Sequence, residues 1–274
     1  MRFDDLANPA TWLLASFVVL VVATNAGWLA LRRRTANPAF RRGPVAAVGW
    51  LGLSLFYLLP PFLALRRGVL SPYAFGLTEI NWPATLSNGL VLAGLIVGGL
   101  LFGWLVYRRT RREEIAQDAL SGIAASAPDN GLPPALARLL AVLRAPLDAA
   151  LQQWHWAFYR AAAIGWLMLP IGLPAAPLAD RLLQGLQAEP LYWGAWLGLL
   201  VAGLERALDP FARAALRRAG DREVALRRAT LAVATTGLFV LTRNFWLCLV
   251  VHVAVETLAM GWFPLSLPAP VEGD

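Results

Sequence analysis

The sequence contains no lysine, so all 24 of its basic residues are arginine. It has one cysteine and two histidines, and only 15% of its residues are charged. A lone cysteine, Cys248, excludes an intramolecular disulfide and a metal cluster built from cysteines alone. Zinc-finger spacing, a glycine-rich phosphate loop, a Gly-x-Ser-x-Gly elbow and internal repeats are all missing, which removes the commonest signatures of nucleotide, nucleic-acid and hydrolase chemistry. The N-terminal stretch MRFDDLANPA is acidic rather than basic, so no cleavable leader is expected and the first apolar run should be retained. Arginine in place of lysine, with a heavy load of alanine and proline, is the usage of a GC-rich bacterial genome.

What the sequence does have is apolar surface, with 58% hydrophobic residues in a 274-residue chain. That is too apolar for an ordinary soluble domain and too long for a single-span anchor. A hydrocarbon core of roughly 30 Å needs about 20 apolar residues per helix. Seven such segments can be placed, at about 11–31, 44–65, 87–107, 154–174, 191–208, 226–242 and 244–263. The expected fold is therefore an all-α, polytopic transmembrane helical bundle of about seven spans, or eight on another parsing. The expected divisions are an N-terminal three-span unit (1–107), a cytoplasmic amphipathic linker (108–153), a four-span unit (154–264) and a tail (265–274).

The net charge of +7 reads as topology rather than as a nucleic-acid surface. With the N-terminus outside, the inner loops hold eighteen arginines: Arg32, Arg33, Arg34, Arg41 and Arg42, then Arg108, Arg109, Arg111, Arg112, Arg138 and Arg144, and finally Arg206, Arg213, Arg217, Arg218, Arg222, Arg227 and Arg228. Arg2, Arg66, Arg67, Arg181 and Arg243 fall outside, and Arg160 falls within a span. The positive-inside rule then gives an N-out, C-in protein of a bacterial cytoplasmic membrane. Within the linker, APDNGLPP separates two helical stretches. In the second, Leu136, Leu139, Leu140, Leu143, Leu147 and Leu151 recur every three or four residues. That pattern suits either an amphipathic helix on the inner surface or one packed against the bundle.

A charged side chain in mid-bilayer is costly and usually faces a partner or a wet cavity. Span 4 carries His155 and Arg160, span 5 ends with Glu205, Arg206 and Asp209, and span 7 carries Cys248, His252 and Glu256 at intervals of four on one helix face. At 1.5 Å per residue, Arg160 lies roughly 9 Å from the inner boundary if its helix starts at Trp154, and Glu256 roughly 12 Å. The two depths agree, so an Arg160–Glu256 pair is feasible where spans 4 and 7 touch. A metal on the Cys248–His252–Glu256 stripe would find only two or three ligands on one helix, so no cofactor is predicted.

The stretch TTGLFVLTRNFWLCLVVHVAVETLA resembles the last conserved block of the CPBP family, the CAAX prenyl proteases and bacteriocin-processing intramembrane enzymes. The matching residues are Thr242, Asn244, Trp246 and His252, with Glu256 in the place of an asparagine. FGLTEINWPATLSNGLVLAGLIVGG is similar to the family's N-terminal part, in which a Gly-Leu and a tryptophan precede a span. The family's Glu-Glu-x-x-x-Arg motif is matched in order by HWAFYR, where Arg160 is kept but His155 and Trp156 replace the glutamates. LDPFAR offers Asp209 and Arg213 instead, with little chain left for the next helix. The second family histidine has no counterpart.

The resemblance implies a catalytic group of His252, Glu256, Arg160 and Glu205, supported by a polar network of His155, Asp209, Arg213 and Asn244. With the family's general-base glutamates replaced, the expected function is a divergent member that lost peptidase activity and binds a membrane partner or a lipid. The alternatives are an active endopeptidase cleaving a membrane-anchored peptide, and a transporter or channel subunit. A protease needs a water-filled chamber open to the inner side, with at least two of these groups within about 4 Å of a common point, whereas a direct arginine–carboxylate contact that closes the space fits the non-catalytic reading.

Overall fold

The computed structural model describes residues 8–34, 42–80, 82–111, 134–170, 177–217 and 219–261, and among them it is helical with no strand. The long elements are α1 (Pro9–Arg34), α2 (Arg42–Arg66), α4 (Leu90–Thr110), α5 (Pro134–Leu167), α7 (Pro190–Leu208), α9 (Ala219–Thr242) and α10 (Phe245–Gly261). Shorter pieces are α3 (Pro72–Phe75), α6 (Pro177–Ala188) and α8 (Pro210–Ala215). A π-helical turn, Thr85–Gly89, leads into α4. Each of the seven apolar segments expected from sequence overlaps one of the long helices. Among the described residues three helical stretches are long and apolar enough to cross a membrane, Pro9–Arg32, Thr85–Thr110 and Asp221–Thr242, and two shorter apolar ones are Leu51–Arg66 and Phe245–Ala259.

The helix ends follow local chemistry. Asn8 caps α1, its Oδ1 accepting from the Ala10 amide at 2.9 Å, with Pro9 at the first helical position. Thr24 and Asn25 return their side-chain donors to the α1 backbone at Leu20 and Val21, so neither presents an unsatisfied group to an apolar environment. Gly76 closes α3 at φ 79°, a conformation that suits glycine. A β-carbon there would also lie 2.8 Å from the Phe239 ring and 2.9 Å from the Arg243 carbonyl. Its own carbonyl accepts from the Phe245 amide at 3.0 Å, which pins this loop to the α9–α10 corner.

The core is built around α5. It packs on α7, α10, α1, α2 and α3, and residues 157–164 are buried without a break. Its contact with α7 is made through small residues: a β-carbon on Gly194 would stand 2.6 Å from the Ile164 backbone, and one on Gly198 2.6 Å from the Arg160 backbone. The two backbones touch because glycine leaves room, as in small-xxx-small membrane pairs. The apolar shell is reversed relative to a soluble domain, with Leu14, Val18, Val19 and Val22 of α1 and Leu90, Val91, Leu95 and Phe102 of α4 exposed.

Two expectations concern α5. The boundary placed between 153 and 154 falls inside one continuous helix, Pro134–Leu167, which runs on through Pro146. Arg160 consequently sits seven residues from the end of α5, not two turns from its start. Of the leucine stripe, Leu143 and Leu147 are exposed and Leu151 is buried, on the same side as Ala145, Ala149, Gln152 and Gln153. Alanine and glutamine share this buried side with Leu151, which clusters with Leu20 and Tyr57. Leu136, Leu139 and Leu140 carry side chains outside the described residues, as do the APDNGLPP stretch up to Pro133 and the tail from residue 262.

Candidate functional site

Polar side chains enter the bundle on different faces of α5. On the side of α2 and α7, His155 donates from Nε2 to Glu205 Oε2 at 2.8 Å, and the Tyr159 hydroxyl donates to the same oxygen at 2.6 Å. Tyr57 of α2 stacks on the His155 ring at 4.2 Å between centroids. His155, Tyr159, Glu205 and Tyr57 are all buried. A carboxylate that accepts two hydrogen bonds in this setting is satisfied without solvent.

On the side of α10, the Cys248–His252–Glu256 stripe is buried as expected, but each member turns to a different neighbour. Cys248 donates its thiol to the Thr235 carbonyl at 3.3 Å. His252 donates from Nδ1 to Gln153 Oε1 at 3.3 Å and stacks flat on Trp156, with centroids 4.8 Å apart. Glu256 is held by Arg227 of α9, with Nε to Oε1 at 3.1 Å and Nη2 to Oε2 at 2.8 Å. Arg227 also lies over the Trp104 ring of α4 at 5.4 Å. One turn earlier on α9, Glu223 accepts from Trp104 Nε1 at 3.1 Å and from Arg108 Nε at 2.7 Å.

The Arg160–Glu256 pair is therefore not made; Arg227 has taken the carboxylate. The physical reason is helix register: α9 begins at Ala219, so Arg227 is eight residues inside a helix rather than in a loop at its edge. Arg160 instead lies 4.6 Å over the Phe239 ring, 1% exposed, and its Nε, Nη1 and Nη2 find no acceptor among the described residues. Of the expected supporting network, His155 joins Glu205, but the other three serve locally. Asn244 caps α10 through Oδ1 to the Leu247 amide at 3.1 Å. Asp209 caps α8 through the Phe211 amide at 2.9 Å, and Arg213 is exposed on that short helix.

Sequence reasoning missed Arg227, Tyr57, Tyr159, Gln153 and Glu223. A readable signal for two of them existed: Glu223, Arg227, Leu231 and Thr235 recur every four residues, and all four are buried. No group of three or more histidine, cysteine, aspartate or glutamate side chains placed to hold a metal occurs among the described residues. An open apolar depression on the outer face of α10 is lined by Leu249, Val250, Val253, Ala254, Thr257 and Leu258, and includes none of the polar groups above.

The arrangement has two chemical consequences. Taking a proton from water at Glu256 would neutralise a carboxylate held at two points and leave the buried Arg227 cation without its counter-charge, a situation that costs about 3–5 kcal/mol when a partner is removed. The His155–Glu205–Tyr159 group brings two of the expected residues, His155 and Glu205, into direct contact at 2.8 Å. Compared with known proteins, the chain matches no protein-family model, no curated protein and no solved structure.

Proposed function

We propose that the chain is a multi-pass protein of a bacterial cytoplasmic membrane, N-out and C-in with about seven spans, that shares the CPBP scaffold without its peptidase chemistry. It acts by holding a membrane-embedded protein partner or a lipid against the bundle. The observation that carries this reading is the Arg227–Glu256 pair, with contacts at 3.1 and 2.8 Å, in which the carboxylate nearest to His252 along α10 is already neutralised. The arginine distribution supports the orientation, and the exposed apolar faces of α1 and α4 support the bilayer as surroundings.

A second reading, an endopeptidase that re-uses Glu205, rests on the compact His155–Glu205–Tyr159 cluster. One assay separates the two. The purified chain is placed in proteoliposomes with a panel of membrane-anchored reporter peptides, alongside Glu256→Gln, Glu205→Gln and His252→Ala. The non-catalytic reading expects the same absence of product for all four proteins. Product released by the wild type and abolished by Glu205→Gln or Glu256→Gln would overturn it.

A further inference from the structure

We propose that Arg160 is the seat of a small monovalent anion of the halide class, bound inside the helical bundle. A guanidinium keeps its charge at any physiological pH, and a buried charge is tolerated when it is paired and hydrogen-bonded. The buried carboxylates among the described residues are Glu205, Glu223 and Glu256. Glu205 serves His155 and Tyr159, Glu223 serves Arg108 and Trp104, and Glu256 serves Arg227. Among the described residues no buried carboxylate is left for Arg160, and none of its three nitrogens is hydrogen-bonded to an acceptor there.

The surroundings keep the head group inside. Arginine usually relieves such a position by reaching along its stem to the membrane surface. Here the side chain is 1% exposed and its head is stacked on Phe239. Gly198 fixes its backbone, with the position of a β-carbon only 2.6 Å from the Arg160 Cα and N. An aromatic face returns only part of the solvation that a cation gives up. The rest must come from a species small enough to fit beside a guanidinium confined by the α5–α7 approach at Gly198 and by the Phe239 ring, which favours a monatomic or similarly compact anion over a phospholipid phosphate. The same guanidinium would also attract a headgroup phosphate, so the test has an arm for each source.

The full chain is purified in neutral detergent, and its thermal midpoint is followed by tryptophan fluorescence while sodium gluconate is replaced by sodium chloride at constant ionic strength. A saturable rise of several degrees is expected for the wild type and none for Arg160→Met. No rise in the wild type, or an equal rise in Arg160→Met, would overturn the assignment. If Arg160→Met does not fold, chloride-35 line broadening by the wild-type protein decides: broadening reversed by nitrate supports the site, and its absence removes it. In the lipid arm, phosphatidylglycerol is added in gluconate. Stabilisation by that lipid and not by chloride would assign the charge to a headgroup and overturn the small-anion proposal.

Discussion

Arg227 and Arg160 are both buried, at 4% and 1% exposure, and both lie against an aromatic face, Trp104 at 5.4 Å and Phe239 at 4.6 Å. One holds a carboxylate at two points; the other holds no acceptor among the described residues. The difference shows that ring contact and burial do not by themselves make an arginine structural. What distinguishes them is the counter-charge, and that decides what a substitution leaves behind. Removing Glu256 abandons a buried cation, whereas removing Arg160 abandons nothing charged.

The largest expected effect follows from that statement. Glu256→Gln keeps the shape but leaves Arg227 with a neutral amide, and should lower the unfolding free energy in mixed micelles by about 3–5 kcal/mol. The double substitution Arg227→Met with Glu256→Leu should recover most of the loss, since apolar replacement of a whole buried pair is often neutral or stabilising. A loss below about 1 kcal/mol for Glu256→Gln, the range of an exposed ion pair, would erase the distinction between the two arginines.

Next in size is the contact that holds α7 against the Arg160 backbone. Gly198→Ala places a methyl 2.6 Å from Arg160 Cα and N, which α5 cannot yield without moving. Overpacking of this kind costs about 1–3 kcal/mol. Gly203, on the same helix, has nothing within 4 Å of a β-carbon, so Gly203→Ala should be neutral or slightly stabilising. Equal effects from the two substitutions, measured as thermal midpoints, would show that the α5–α7 approach does not confine Arg160.

The fold was readable to the extent that apolar run length encodes it. Segments such as 87–107 and 191–208 fall inside helices because each is a nearly unbroken apolar run ended by charge or proline. The start of α5 was not readable, since its first half is amphipathic and its second half apolar, and run length locates only the second. For the site, His252, Glu256, Glu205, His155 and Arg160 stood out as polar residues in apolar surroundings, and all five are buried. Their pairing was hidden because it depends on helix register between segments distant in sequence. Arg227 was the hardest to see: an arginine near a span boundary looks the same whether it marks topology or reaches inward to a glutamate 29 residues away.

A smaller effect belongs to a buried group that carries no charge. Asn244 is 0% exposed, and its Oδ1 caps the first turn of α10 at 3.1 Å. Asn244→Ala should cost about 1 kcal/mol, with most of it restored by Asn244→Ser, because the lost interaction is a cap and not an ion pair. Thermal midpoints of the two variants measure this. A cost as large as that of Glu256→Gln would mean that Asn244 does more than cap the helix.

The smallest effect is the one that tests the comparison most directly. In a chloride-free gluconate medium, Arg160→Met should change the unfolding free energy by less than about 1 kcal/mol, or raise it, because apolar substitution removes a desolvated charge and orphans no partner. Methionine is long and unbranched enough to follow the same path, and its sulfur makes favourable contact with an aromatic ring such as Phe239. Arg227→Met, measured in the same medium, should cost several times more, since it leaves the Glu256 carboxylate buried alone. If the two arginine substitutions were equally damaging, Arg160 would have to hold a partner as firmly as Arg227 does, and the division between a paired and an unpaired arginine would fail.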